Sequence, residues 1–402
     1  MKRRDFVAML GLAPYAGAVQ SEEALKAITD ARPQSRIWPS RPPRDCPFGP
    51  SSIITGIEFT GRYAAYENAD TWFPSWASDG NLYSPFTDGT VGGVEANSGG
   101  LLANTGQAKI VGDDPLQLRV VPLGVHASSP WPYGGRYPSA SLVHDGIWYY
   151  GTYCLDQKDP HLNWDVLGPF VGFRISRDFG VSWTDPLCTP TNPLFLENGK
   201  NGAKVKLGAL HFVDFGRSMQ HSPDGNAYLV GHGATRADAE LSWISGDQIY
   251  LARVKPTPEN INDFARYEFF AGPNADGTPR WRSDFEEIRP LLEWNDRTGV
   301  VTITYNAPLK RYFMFVTDGF PTIARMNTYV LEAADITGPW RLITFMENFG
   351  EQAYFVNLPT KFISDDGRSG WLLYSANFRG DYKADPEGRS YALTLHEVRF
   401  LL

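Results

Sequence analysis

Short runs of alternating apolar and polar residues fill most of this chain, and they break at Gly, Pro, Asn and Asp rather than at helix caps. The run from Glu67 to Gly89, ENADTWFPSWASDGNLYSPFTDG, reads as two strands folded on a turn at Ser78-Asp79-Gly80. Trp72, Phe73 and Trp76 fall on the first strand, and Leu82, Tyr83 and Phe86 on the second. Ahead of this hairpin a strand is predicted at Ile53–Tyr63. The same unit then recurs: an apolar strand, a tight turn, an aromatic strand. It spans Ser139–Tyr153 with a turn at Asp145-Gly146, and His211–Val230 with a turn at Asp224-Gly225. It returns at Val300–Val316, turning around Asn306–Lys310, and at Phe362–Tyr374, turning at Asp366-Gly367. Further strands are predicted at Phe170–Ile175, Gln248–Val254, Thr328–Glu332 and Tyr391–Val398. Asn260–Tyr267 reads as a short helix, but no long stretch carries the helical period.

Five units at intervals of about 60 to 85 residues predict an all-β, five-bladed β-propeller, each blade holding about four antiparallel strands. Seven blades would need roughly 50 residues each, less than this spacing. The segment Ser176-Arg177-Asp178-Phe179-Gly180-Val181-Ser182-Trp183 adds a match to the S-x-D-x-G-x-x-W Asp-box turn, and Asp335–Trp340 is a looser relative. In such a turn the Asp bonds backbone amides, the Gly takes positive φ and the Trp packs back on the sheet. That role is structural.

Composition narrows the function classes. The 402 residues are 42% hydrophobic and 20% charged, enough to bury a large core. A net charge of −8, with no Lys/Arg-rich run in the mature chain, argues against a nucleic-acid partner. Aromatic residues make up 14%, including 12 Trp and 19 Tyr, a supply that suits both β cores and sugar stacking. Lys2-Arg3-Arg4-Asp5-Phe6, a short apolar run to Ala13 and the small-residue site Ala16-Gly17-Ala18 have the order of an export signal. The paired arginines suggest the twin-arginine type, although Lys2 stands where Ser or Thr is usual. Residues 1–20 are accordingly read as signal, 21–50 as a Pro- and Arg-rich extended lead-in and 51–402 as a single propeller domain. The mature protein is expected in the periplasm or outside the cell, without a membrane anchor, because no later stretch approaches about 18 apolar residues. Three cysteines, Cys46, Cys154 and Cys188, allow at most one internal disulfide, and none stands near another as a metal site requires. No cofactor or metal is expected, and a monomer is.

In a propeller the innermost strands converge on a central funnel, so residues at their ends meet there. Asp70 opens the first strand of the Glu67–Gly89 hairpin and Asp88 closes the second, so antiparallel pairing brings the two acids to one end. Asp at a strand end is also ordinary turn chemistry. As a functional pair, two carboxylates beside aromatics are what glycosidic-bond hydrolysis uses, one as general acid and one as base or nucleophile. Asp165 and Glu351 are the reserve carboxylates, and Trp72, Trp76 and Tyr305 the candidate sugar platforms. His211 and Gln352 are added as substrate-binding candidates, beside the segments Arg136–Ser139 and Glu351–Tyr354. A rival chemistry, proton abstraction from a uronic acid by a lyase, would recruit His144, His211, His221, His232, Tyr137 and Arg136. A propeller that binds glycans without cleaving them is the third reading.

At ADTWFPSWASDGNLYSPFTDG the chain resembles a bacterial family first catalogued as the domain of unknown function DUF4185, some of whose members are endo-D-arabinanases. Its overall plan also resembles five-bladed propeller glycoside hydrolases of the arabinanase and fructosidase type. The resemblance implies a carbohydrate substrate, an arabinan or another furanose-containing glycan. It also implies catalytic roles for the two first-blade aspartates, whose matching positions are Asp70 and Asp88. It is closest in the hairpin and weakens beyond it, and the segments GPFVGFRISRDFGVSW and FGEQAYFVNLPTKF match no characterised group.

Overall fold

The tight turns fold these strands back on themselves where the sequence places Asp-Gly. At Asp145-Gly146 both residues take positive φ, 50° and 76°, the conformation a two-residue hairpin turn needs, and they join Gly135–His144 to Ile147–Asp156. The structure is a computed structural model that describes residues 35–99, 102–127, 135–156, 166–189, 192–195, 197, 205–319, 324–378 and 385–402. The expected signal at 1–20 and the first part of the lead-in lie outside the described residues.

Five antiparallel sheets form a five-bladed β-propeller. Blade one starts from the short inner segments Asn68–Asp70 and Ser75–Trp76, which both pair with Leu82–Val91, and continues through Asn104–Val111 and Arg119–Ala127. The inner strands of blades two, three and four are Gly135–His144, Ala209–Phe212 and Val301–Asn306. Blade five corrects the sequence reading twice. Its inner strand is Tyr354–Asn357, whereas the expected apolar strand from Phe362 is a 3-10 turn at Thr360–Phe362 followed by loop. The strand expected ahead of the hairpin, observed at Gly56–Tyr66, belongs to blade five: it pairs with Leu393–Leu401 and so fastens the ring. The predicted helix at Asn260–Tyr267 shrinks to a 3-10 turn, Phe264–Arg266. Residues 35–50 are anchored to the propeller: Arg36–Ile37 pairs with Gly56–Tyr66, and Trp38 is buried against Phe59 and Phe349. Cys46 and Cys188 are free thiols. Among the described residues no helix is long and apolar enough to cross a membrane.

Both Asp-box turns form as read. Ser176 Oγ donates to Asp178 Oδ1 (2.7 Å), the Ser182 amide donates to the same oxygen (2.9 Å), and Gly180 takes a φ of 93°. Trp183 then packs on Trp148 and Tyr150. In the second box Thr337 donates its amide to Asp335 Oδ1, and Trp340 is buried.

One loop, 213–226, ties the far end of the funnel together. Asp214 bridges to blade four, its amide donating to the Ile303 oxygen and its own oxygen accepting from the Tyr305 amide, both at 2.9 Å. Its carboxylate accepts from the Thr360 amide (2.8 Å) and hydroxyl (2.7 Å) of blade five, and from the Gly216 amide (2.9 Å). Arg217 donates to the Ser78 oxygen of blade one, and His144 of blade two donates Nδ1–H to the Ser218 oxygen (3.1 Å). Asp214→Ala strands these donors, so it is expected to cost about 2–3 kcal/mol, read as a lower urea midpoint.

Candidate active site

Asp70 and Asp88 owe their meeting to an irregularity in blade one. Asn68 pairs with Thr90 and Asp70 with Thr87, so two residues of one strand step past three of the other. Regular alternation would send Asp88, next to Thr87, to the face opposite Asp70. The extra residue forms a bulge in which Asp88 takes a φ of 47°, and this turns its carboxylate onto the Asp70 side. The bulge brings the chains so close that a Cβ on Gly89 would sit 2.0 Å from the Asn68 oxygen. After Asp70 the inner strand breaks at Thr71 (φ 62°), which swings Trp72 into the blade core and Phe73 into the funnel before pairing resumes at Ser75–Trp76.

The two acids line one pocket of about 220 Å³ with Tyr137, Tyr153, Trp243, Tyr354, Phe378 and Tyr391, together with Leu155 and Phe355. Asp70 is buried; Oδ2 accepts from Tyr354 Oη (2.7 Å) and Oδ1 from Thr71 Oγ1 (2.8 Å). Tyr391 Oη donates to the main-chain oxygen of Asp88 (2.8 Å) and also lies within hydrogen-bonding reach of the Asp70 carboxylate. Asp88, half-buried, accepts from the Ser98 amide and hydroxyl, both at 2.7 Å. Burial first, and the charge of Asp88 second, push the Asp70 pKa well above the usual carboxylate range, against the opposing pull of its hydroxyl donors. Burial also raises Asp88, with the Ser98 bonds pulling the other way. The pair therefore holds a proton at pH values where exposed carboxylates have lost theirs.

The funnel continues below the pocket but is partitioned. Phe355, which faces the pocket, packs on Phe73 (ring centroids 5.3 Å), and Phe73 packs on His211 at 4.1 Å. Phe73 and His211 in turn face a second cavity of only about 40 Å³, which Asp214 and Asn357 also line. His211 is buried, and its pKa is lowered to about 3, by burial and then by His232, so it is neutral at ordinary pH.

The structure separates the other candidates from the carboxylate pocket. Trp72 is a core residue stacked on Phe86, its Nε1 donating to the Ala69 oxygen (2.9 Å), and Trp76 packs against the same core. Neither is a sugar platform, because the break at Thr71 turns one indole inward and leaves the other lower on the blade. Tyr305 sits at the opposite end of its strand among Phe215, His221 and Tyr312. Glu351 pairs with Arg325 (3.2 Å), Gln352 is wholly buried, and neither lines the pocket. His211 lies beneath the Phe layer rather than in the pocket. Asp165 lies outside the described residues. Of the lyase candidates, His232 donates to the Ser242 oxygen (2.7 Å), and His144 and His221 sit at the far end with the 213–226 loop. Tyr137 and Tyr354 fall within segments named from sequence as site candidates, whereas Tyr153 and Tyr391 fall only on predicted strands and Trp243 and Phe378 on neither. Trp243 and Phe378 come from connections between strands, where only an isolated aromatic in a small-residue loop (SWISGD, SANF) marks them. Among the described residues no three His, Cys, Asp or Glu side chains cluster as a metal site would need.

No protein-family model matches the chain, and no curated protein matches it in sequence. Solved structures do resemble it in fold. An α-L-arabinofuranosidase from Podospora anserina is 12% identical with a TM-score of 0.43, over 92% of this chain and 98% of its own. A GH43 β-xylosidase/α-arabinofuranosidase from a compost microbial metagenome is 14% identical with a TM-score of 0.46, over 84% of this chain and 92% of its own. A GH43_1 enzyme from Xanthomonas citri is 13% identical with a TM-score of 0.45, over 84% and 89%.

Proposed function

We propose that this protein hydrolyses glycosidic bonds, with Asp70 as general acid and Asp88 as base or nucleophile. The observation that carries the reading is the shared pocket: two carboxylates on one bulged hairpin, both with raised pKa, walled by aromatic rings. Asp70, the more deeply buried of the two, keeps its proton to higher pH and is suited to protonate a leaving oxygen. Asp88 is oriented by Ser98 at both oxygens, which favours its ionised form for activating water or attacking the anomeric carbon. The aromatic rings offer apolar faces to a sugar and, with the carboxylate charge, favour the positive charge that develops on it.

A uronate lyase fits this pocket poorly. Among the described residues lining it there is no Lys, Arg or His to neutralise a substrate carboxylate, and two aspartates would repel one. Burial raises the pKa of Tyr153, Tyr354 and Tyr391 well above the usual phenol value, which keeps them protonated and leaves no phenolate to abstract a proton. The preferred substrate class is accordingly a neutral glycan, and the resemblance of the first hairpin adds an arabinan or another furanose-containing polysaccharide as the first choice. The deciding experiment incubates purified protein with plant, fungal and mycobacterial glycans. New reducing ends without an unsaturated uronide support hydrolysis; the uronide chromophore means a lyase; binding without products means a non-catalytic propeller.

We propose further, from the order of residues 1–20 alone, that this chemistry takes place in the periplasm or outside the cell. Changing Arg3 and Arg4 together to Lys is expected to hold the precursor in the cytoplasm, checked by cell fractionation. Unchanged location would remove the twin-arginine route.

A further inference from the structure

The described lining of the pocket comes from several blades, and one part of it is brought from an unexpected blade. Asp70 and Asp88 stand on blade one, Tyr137 and Tyr153 on blade two, and Phe378 and Tyr391 come from blade five. The inner strand of blade four contributes none of the lining. Its place is taken by Trp243, carried on the connection from Ala227–Gly233 to Gln248–Val254 in blade three. Trp243 is 6% exposed and packs on Tyr354 and Phe355, with ring centroids 5.5 and 5.4 Å away.

This connection is built onto blade four rather than hung beside it. The Trp243 oxygen accepts from the Val300 amide and the Ile244 oxygen from the Gly319 amide, both at 2.9 Å. Ile244 fills a recess that only glycine leaves open. A Cβ on Gly299 would meet the Ile244 carbonyl carbon at 2.6 Å, and one on Gly319 would meet the Ile244 side chain at 2.5 Å. At the base of the connection Arg236 donates to Asp247 (3.2 Å) and Asp296 (2.6 Å), and Asp296 also accepts from the Glu240 amide (3.0 Å). Bonds at both ends and a fitted recess between them hold the indole in place.

We propose that Trp243 closes the blade-four side of the funnel and makes the site a blind well that admits the end of a glycan chain, so that the enzyme removes terminal residues. The inference rests on the hydrolase reading above and adds the mode of attack. A chain cut in its middle has to enter and leave the site on opposite sides, and here the described lining sets Trp243 on the blade-four side, opposite blade one, above a floor made by the Phe355–Phe73 pair. The volume of about 220 Å³ also falls below the roughly 300–1,000 Å³ typical of pockets that enclose a drug-sized ligand. It suits the terminal sugar rather than several consecutive rings.

The test uses arabinan, xylan and galactan oligosaccharides tagged with a fluorophore at the reducing end, alongside the same chains methyl-capped at the other end. Wild-type protein is expected to shorten the uncapped chains one residue at a time and to leave the capped ones intact. Mid-length fragments from the outset, or cleavage of capped chains, would overturn terminal attack while leaving hydrolysis standing. Silence from every chain would instead overturn the hydrolase reading and this inference with it. Trp243→Ala is expected to raise the ratio of internal to terminal cuts about tenfold, and Trp243→Leu, which keeps apolar packing, to raise it less. An unchanged ratio in either variant, with a normal thermal midpoint, removes Trp243 from the role. Should both variants fail to fold, the wild-type product pattern alone still decides for or against the well.

Discussion

Asp70→Asn and Asp88→Asn are each expected to lower kcat by about a thousandfold or more, some 4 kcal/mol of lost barrier lowering. The amide keeps the shape and part of the hydrogen bonding, but it neither donates a proton to a leaving oxygen nor activates a nucleophile. Folding survives, because what each variant removes is a charge that the fold disfavours. The sign follows from the raised pKa values. Folded protein binds protons at Asp70 and Asp88 more tightly than unfolded protein does, so this contribution to stability is full at low pH. It is lost as pH climbs from the ordinary carboxylate range through the raised folded values. Thermal midpoints of the wild type should therefore fall with pH across that window more steeply than those of Asp70→Asn, and the variant should be the more stable at neutral pH. The same titration shapes activity: the basic limb of the kcat profile is displaced upward by the high affinity of Asp70 for its proton, and Asp70→Asn abolishes it. If both variants keep more than about a tenth of wild-type kcat, neither group is the acid or the base.

Gly89→Ala should act almost as strongly without touching a functional group. The added methyl would lie 2.0 Å from the Asn68 oxygen and 2.6 Å from Ala69 Cα, both backbone atoms that cannot step aside. Relief has to come from separating the two strands at the bulge, which moves Asp70 relative to Asp88. An overpacking cost of about 1–3 kcal/mol is expected, with kcat/KM lower by about a hundredfold through misplacement of the pair. Gly93→Ala is the control. Gly93 has positive φ (83°), unlike Gly89, and nothing lies within 4 Å of a Cβ there. It should lose about 1 kcal/mol of stability to backbone strain and keep its activity. Equal activity losses in the two variants would mean that backbone strain in general, not the bulge, sets the site.

The residues that announce the fold are those whose physics is local. Asp145-Gly146 and Asp178-Phe179-Gly180 need positive φ or a carboxylate beside free amides, and such demands are written in three or four adjacent letters. Ring closure is not local. Gly56–Tyr66 reads as a strand, yet nothing in it says that its partner is Leu393–Leu401 rather than the neighbouring hairpin. The site divides the same way. Asp70 and Asp88 could be brought together on paper by counting along a hairpin, whereas the bulge that turns Asp88 over depends on how closely Gly89 approaches Asn68. Trp72 and Trp76 misled because a period of two assigns faces only to an unbroken strand, and Thr71 breaks this one. Trp243 and Tyr391 were out of reach, since their place in the pocket follows from which blades stand side by side.

The pairing of Gly56–Tyr66 with Leu393–Leu401 also sets the order of events during synthesis. Gly56 lies opposite Leu401, so an early segment emerging from the ribosome has to wait for almost the whole domain before it meets its partner. Until then Gly56–Tyr66 offers an uncovered edge, and the buried cluster that holds Ile57 and Phe59 lacks Val398 and Phe400. Such a long-range contact carries a high loop-closure cost and folds slowly. The nascent chain is thus a natural client for chaperones that shield strand edges, and its solubility in a cell is decided by how long the ring stays open.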